Sequence, residues 1–355
     1  MVVPPVSLSV SPSTAILRNP KTPFQVTIHL ASAILEDRPD RNRLPTEQLP
    51  TEAVVKLRAN ESIQVEPSEK TVTLPAPGKV TDISFQVTPL AINPHQPLAL
   101  VATASFNGKE YAEGFRAVGY PGILPTNYYT PATLRVVPVD VTTAPNLNIA
   151  YIPGTGDDVP TALEALEVSP HILTAADLTP EALKPFDAVV LGVRAYERRE
   201  LAAANPALNA YAAAGGIVIA QYNTGRLPEG TGPYPLDLGG SEKVVEEDAP
   251  VHILAPDNPL LTWPNKITTA DFDHWVEERG HGFMATWDPH YTPLLETHDH
   301  GQQPQLGGLL VARTGRGAWI YLGLALYRQL PEGVPGPYRL FANLISAARN
   351  PGMQK

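Results

Sequence analysis

The hydrophobic pattern of this chain changes period once, near residue 140, and that change bounds the folds it can adopt. Between Val6 and Val139 apolar and polar residues mostly alternate, as in Ser7-Leu8-Ser9-Val10-Ser11 and Phe24-Gln25-Val26-Thr27-Ile28-His29-Leu30. Alternation puts every second side chain on one face of an extended strand, so it predicts half-buried β-structure. Further strands are predicted at 54–58, 63–65, 72–74, 83–87, 98–106 and 111–118, with separators rich in Pro, Gly, Asn and Asp. Asn107-Gly108 supplies the two residues tolerant of positive φ that a type I′ hairpin turn needs. The pattern predicts an antiparallel, Ig-like β-sandwich over residues 1–140, with a Pro-rich connector at 119–145. Tyr120, Tyr128 and Tyr129 lie in that connector and are expected to pack at a domain junction, and the strands show no aromatic platform for a sugar. The charged, Pro-rich stretch from Glu36 to Thr51 is expected to be a long exposed loop.

Beyond Leu147 the pattern becomes strand, helix, strand. The apolar run Leu147–Ile152 precedes a helix at 159–166, and short segments at His171–Leu173 and Asp177–Glu181 read as a strand and a helix start. Phe186–Gly192 and Ile217–Ala220 are uniformly apolar, as strands covered on both faces must be. Between them lies an Ala-rich helix, 201–214, stopped by Gly215-Gly216. A hairpin over 309–322 and a helix over 337–348 close the chain. The expected fold is therefore multidomain β plus α/β, with residues 146–355 forming a parallel-sheet, flavodoxin-like unit.

Composition removes several functions. There is no Cys, hence no disulfide framework and no thiolate nucleophile or ligand. Net charge is −10, and residues 1–140 are charge-balanced, so the acidic excess lies in the second region and argues against nucleic acid as a partner. The 39 prolines exclude a long-helix protein, and no apolar stretch is long enough to span a membrane. Met1-Val2-Val3-Pro4-Pro5 lacks a basic segment before an apolar core and is not expected to be a signal peptide.

In parallel sheets ligands bind beyond the carboxyl ends of the strands. Three segments fall there: Gly154–Asp158, Val193–Tyr196 and Gln221–Gly225. They offer Arg194, Tyr196, Gln221, Tyr222 and Asn223 as candidate ligand-binding residues, a set suited to polyols rather than to nucleophilic attack. Tyr234, Trp275 and Arg279 are added from later motifs. Gly154-x-Gly156 lacks the third Gly of a dinucleotide loop, and Asp157-Asp158 would repel a pyrophosphate, so helix capping is the better reading and no cofactor is expected. Asp271, His274 and Glu277 form an alternative proton-transfer set if they face one cleft. Arg194 and Glu277 could instead form a structural ion pair. His298 and His300 stand two apart and could bridge a metal from a strand, but Gly301–Pro304 follows, and a polar surface loop with no metal is expected.

The second region resembles the class I glutamine amidotransferase-like fold in its ThuA-like form. Gly215–Gln221 is similar to the strand leading to that family's nucleophile elbow, but the position of the family's Cys falls near Gln221 and the chain has no Cys, so thiolate glutaminase chemistry is excluded. A wider resemblance covers nearly the whole chain. Gly192–Tyr196, Gln221–Asn223, Pro233–Leu236, Asp271-Phe272, Trp275–Gly280, Arg328–Pro331 and Gly333–Leu344 look like the C-terminal region of long bacterial PIG-L (LmbE-like) deacetylases. In those proteins a zinc-dependent N-acetyl-sugar deacetylase domain precedes a β-sandwich and an amidotransferase-like domain. Its His-Pro-Asp-Asp zinc motif is absent here. The resemblance thus implies an accessory, glycan-binding or scaffolding region that partners a deacetylase domain in cis or trans, in an exported or periplasmic setting. The alternative is a stand-alone hydrolase acting on a carbohydrate or amide through Asp271, His274 and Glu277.

Overall fold

The computed structural model describes residues 3–18, 22–33, 51–90, 93, 96–124, 126–240 and 242–353. All but the last residue of the loop expected at Glu36–Thr51 lies outside them. The chain divides into two compact units, Met1–Val139 and Asp140–Lys355.

The first unit is all β. Its strands are β1 Val6–Ser11, β2 Thr14–Leu17, β3 Phe24–Ser32, β4 Glu52–Arg58, β5 Ile63–Glu66, β6 Lys70–Thr73, β7 Val80–Pro89, β8 Leu98–Phe106, β9 Lys109–Tyr111, β10 Glu113–Val118, β11 Thr126–Pro131 and β12 Thr133–Pro138. One sheet runs β1-β3-β7-β5; another runs β2-β12-β8-β4-β6, with β9 paired to β8. Alternation sets which side chains go inside: Val26, Ile28 and Leu30 from one sheet share a single core with Val55, Leu57, Leu100 and Leu134 from the other. Asn107 and Gly108 join β8 to β9 with φ of 47° and 70°, as the type I′ reading requires.

The region read as a connector is partly strand. β10 and β11 form a separate two-stranded ribbon, and β12 pairs parallel to β2 and antiparallel to β8. Tyr120, Tyr128 and Tyr129 are exposed rather than packed, at 69%, 53% and 41%. Phe115 pairs with Tyr129 across the ribbon and Arg116 lies over the Tyr128 ring, so the strands do carry exposed aromatic surface.

The second unit is built on a seven-stranded sheet. Its strands are β13 Ile149–Ile152, β14 His171–Ile172, β15 Ala188–Leu191, β16 Ile217–Gln221, β17 Leu236–Asp237, β18 Glu242–Val244, β19 Val251–Ile253, β20 Gly280–Phe283, β21 Thr286–Trp287, β22 Tyr291–Pro293, β23 Leu295–Thr297, β24 Leu309–Thr314 and β25 Gly317–Leu322. The sheet order is β14-β13-β15-β16-β25-β24-β22. The first five strands are parallel; β24 and β22 are added antiparallel. Every residue of β13, β15, β16 and β25 is buried, which explains their unbroken apolar runs. The Asn205–Ala213 helix packs Leu208 and Ala212 on the face bearing Val218 and Ala220. The Pro335–Ile345 helix also packs on β16. Residues 236–297 hold three two-stranded ribbons, β17–β21, β18–β20 and β19–β23. No helix among the described residues is long and apolar enough to cross a membrane.

Candidate functional site

Because β13, β15, β16 and β25 are parallel, the loops that follow them emerge at one edge of the sheet. The three expected rim segments are tied to one another there. Thr155 N donates to Val193 O (2.9 Å), Arg194 N to Tyr222 O (2.7 Å) and Tyr196 N to Asn223 Oδ1 (3.1 Å).

The tie consumes several residues expected to bind ligand. Asn223 is 1% exposed, and its Nδ2 donates to Gln221 O (2.7 Å). Gln221 is 2% exposed and donates from Nε2 to Leu191 O (3.3 Å). Tyr196 is buried, its hydroxyl donates to Asn205 Oδ1 (2.8 Å), and burial pushes that hydroxyl above its ordinary range. These three hold the loops, because their polar groups are spent inside. Asp157 does the same. Its carboxylate accepts from Tyr151 Oη (2.6 Å), Val159 N (3.1 Å) and Val193 N (2.8 Å), so Asp157 takes an amide at the start of the Val159–Ala165 helix, whose N-cap Asp158 makes no side-chain cap bond.

Of the candidate ligand-binding residues on the rim, Tyr222 and Arg194 are left half-exposed. Tyr222 stacks on Tyr327, just beyond β25, with centroids 5.7 Å apart and planes at 18°. Its ring also meets His281 of β20 at 5.7 Å, tilted by 43°. The contact with β20 needs Gly282. That residue has φ of 61°, and a Cβ there would lie 2.4 Å from Asn223 O and 2.9 Å from Tyr222 Cδ2. The result is one aromatic row, Tyr327–Tyr222–His281.

Charge surrounds this row. Glu278 is 5% exposed and accepts from Tyr327 Oη (2.9 Å) and Arg328 Nε (2.5 Å); its other oxygen pairs with His281 Nε2. Arg328 also pairs with exposed Glu277. On the far side Arg194 Nε donates to Glu197 Oε1 (2.5 Å), which also accepts from Thr224 Oγ1 (2.6 Å). Burial raises the Tyr222 hydroxyl above its ordinary value; Arg194 and Arg328 pull it down, while Glu278 and Glu197 push it up. Tyr222 thus sits within the field of all four charges. Arg194 and Glu277 both hold left-handed backbone, with φ of 56° and 65°, a costly conformation for non-glycine residues.

The alternative proton-transfer set is not assembled. Asp271 closes a capping box on Thr268 and accepts from Arg339 Nε (2.7 Å). His274 is exposed, and among the described residues no hydrogen bond or ion pair joins any two of Asp271, His274 and Glu277. Nor do Arg194 and Glu277 pair with each other; they take Glu197 and Arg328. Trp275 and Arg279 are core residues. The indole donates to Asp271 O (3.1 Å), and the buried guanidinium lies over its ring and donates to Ala249 O (2.9 Å). Desolvation lowers Arg279 below its ordinary value, to about 10. Tyr234 stacks on His290 (4.1 Å, 8°) and shares no ring contact with Tyr222.

Sequence reasoning missed Glu278, His281, Tyr327 and Arg328. The run 275–281 was conspicuous, but spacing alone does not tell which of two adjacent carboxylates turns inward: Glu277, on left-handed backbone, is exposed, and Glu278 is buried. The His298–His300 pair lies beyond the end of β23, not on it. Asp299 is spent on Val245 N (2.8 Å) and Glu246 N (2.9 Å). Among the described residues no group of three or more His, Asp or Glu is placed to hold a metal ion.

Chemically, the edge offers an aromatic surface, guanidinium and carboxylate groups around it, and an imidazole oriented by a buried carboxylate. No protein-family model matches the chain. No curated protein matches it either. Among solved structures it is similar to a ThuA-like protein from Bacteroides uniformis, with 14% identity and a TM-score of 0.37 over 58% of this chain and 92% of that one. It is also similar to a β-galactosidase from Rahnella sp. R3 (15% identity, TM-score 0.35, 61% of this chain and 32% of that one). An exo-β-1,4-mannosidase from an Opitutaceae bacterium gives 10% identity and a TM-score of 0.32 over 58% of this chain and 36% of that one. The chain thus spans about a third of the length of either glycosidase.

Proposed function

We propose that this chain is a glycan-binding accessory region of a PIG-L-type N-acetyl-sugar deacetylase, with an Ig-like brace and a flavodoxin-like, amidotransferase-like unit that lacks the Cys nucleophile. The observation that carries the binding role is the half-exposed row Tyr327–Tyr222–His281 ringed by Arg194, Glu197, Glu277 and Arg328. A sugar has apolar C–H faces and a girdle of hydroxyls. It needs an aromatic surface and hydrogen-bonding groups that both donate and accept, which this edge supplies together. The strand order 2-1-3-4-5 of β14-β13-β15-β16-β25, numbering these parallel strands along the chain, supports the flavodoxin-like reading. Gln221, near the position where the resemblance places the family's Cys, is buried and hydrogen-bonded, which supports a non-catalytic role.

The test is calorimetric titration of N-acetylglucosamine oligomers into the whole chain. Tyr222→Ala and Tyr327→Ala are each expected to weaken binding about tenfold, since an aromatic contact is worth ~0.5–1.5 kcal/mol beyond its area. Absence of binding by any oligomer would remove the glycan role and leave a scaffold.

A hydrolase reading is favoured by one observation, the Glu278–His281 pair at the same row. If His281 Nε2–H donates to Glu278, Nδ1 is left as the basic nitrogen. That reading predicts turnover of the same oligomers, abolished by His281→Ala; binding without turnover would exclude it.

A further inference from the structure

The same sheet has a second concave surface at its opposite edge. A cavity of about 900 Å³ lies where β15, β16 and β25 begin, floored by Gly216, Ile217 and Tyr211. Four cations line it, Lys184, Arg313, Arg316 and Arg349, against two carboxylates, Glu181 and Asp187. A net positive wall is unexpected in a chain of net charge −10 whose acidic excess lies in this very unit.

These cations are unequally committed. Arg349 is held by Asp187 through two contacts, Nε–Oδ1 (2.7 Å) and Nη2–Oδ2 (3.1 Å). Among the described residues the Arg316 guanidinium donates only to a backbone carbonyl, Ala214 O (2.8 Å). Among the described residues the Arg313 guanidinium meets only a thioether, Met353 Sδ (3.4 Å). Lys184 has no hydrogen bond or ion pair among the described residues. A guanidinium carries five donors in a rigid fork, so Arg313 and Arg316 each keep most of theirs unspent. Both lie at the β24–β25 turn and line the same cavity as Lys184, which arrives from the far side of β15. The three reach the cavity wall from separate segments.

We infer that this groove binds a phosphate ester, with Arg313, Arg316 and Lys184 on the phosphoryl oxygens. Forked donors match that oxygen geometry, and the volume suits a ligand larger than phosphate alone. Phe186 and the Tyr211 ring supply an apolar wall for the organic part; the Tyr211 hydroxyl is spent on Phe186 O (3.0 Å). The source is either a small phosphorylated sugar or a phosphate within a polymer. This site does not depend on the glycan reading of the opposite edge.

The experiment is titration of the full chain at low salt with glucose 6-phosphate, inorganic pyrophosphate and a glycerol phosphate oligomer, with citrate as a carboxylate comparator. Spectra are followed on backbone amides of Gly215–Ile217, and Arg313→Gln/Arg316→Gln is measured in parallel. Circular dichroism checks that the variant is folded, and Arg349 is left intact because it holds Asp187. The inference expects at least one phosphate compound to shift these amides and to bind about tenfold more weakly to the variant. Tighter binding of the oligomer than of glucose 6-phosphate identifies a polymer, and the reverse identifies a small ester. Shifts with citrate alone, equal affinity in the variant, or no shift with any phosphate compound at millimolar concentration would overturn it.

Discussion

Replacing Glu278 with Gln removes one charge and converts one of two acceptor oxygens into a donor, with almost no change in size. The side chain is 7% exposed and serves Tyr327, Arg328 and His281. Two of these pair opposite full charges when His281 is protonated, and such contacts are worth about 1.5–3 kcal/mol each. The Arg328 share must be discounted, because that side chain is 37% exposed and keeps Glu277 and water. The net expectation is a loss of about 2–3 kcal/mol, or roughly 5–10 °C for a unit of this size. All four tryptophans, Trp263, Trp275, Trp287 and Trp319, lie in the second unit, so urea unfolding followed by tryptophan fluorescence reports on that unit alone. The Tyr327 hydroxyl is raised first by burial and then by Glu278, so its titration should move down toward the ordinary range in the variant. A stability change below about 0.5 kcal/mol would refute the reasoning, because it is the size of an exposed ion pair and would mean that the network is not desolvated.

Other expectations follow from the same geometry. Thr224, first, and Arg194 hold the Glu197 carboxyl below its ordinary value of 4.5. Its folded-state pKa is depressed, so the stability it lends the rim is present above pH 4.5 and lost as pH falls through the lower folded value. Carboxyl NMR should place the Glu197 midpoint below 4.5, and Thr224→Ala should raise it; an unchanged midpoint would discard the contact. Asn343, fully buried, accepts from Asn265 N (2.9 Å) and donates to Leu260 O (2.9 Å) and Asn265 O (2.8 Å). Asn343→Leu strands these groups and should cost about 4 kcal/mol in urea unfolding; a loss under about 1 kcal/mol would show that they find other partners.

The sheet of the second unit was legible because its central strands are buried on both faces and therefore apolar without interruption, as in Ile217–Ala220. The strands of the first unit were legible from the opposite signal, alternation. What escaped was short or Pro-bounded. β17–β23 include strands of two or three residues, too brief to show a period, and β11 and β12 end in Pro131 and Pro138 within a stretch that reads as connector. At the site, the three loops could be placed together from topology alone. Which polar side chains turn inward could not, since Asn223 and Tyr222 are adjacent and one becomes a buried clamp while the other remains half-exposed. His281 and Tyr327 meet Tyr222 only because the β20 ribbon lies against the end of β25, a contact made through Gly280 and Leu324.

The most direct test of the central claim is a crystal structure of the chain soaked with an N-acetylglucosamine oligomer. The account predicts a sugar ring on the Tyr327–Tyr222–His281 row, with its hydroxyls on Arg194, Arg328 or Glu277. A sugar bound instead on the exposed Phe115–Tyr129 ribbon, or an edge that stays empty at saturating oligomer, would contradict it.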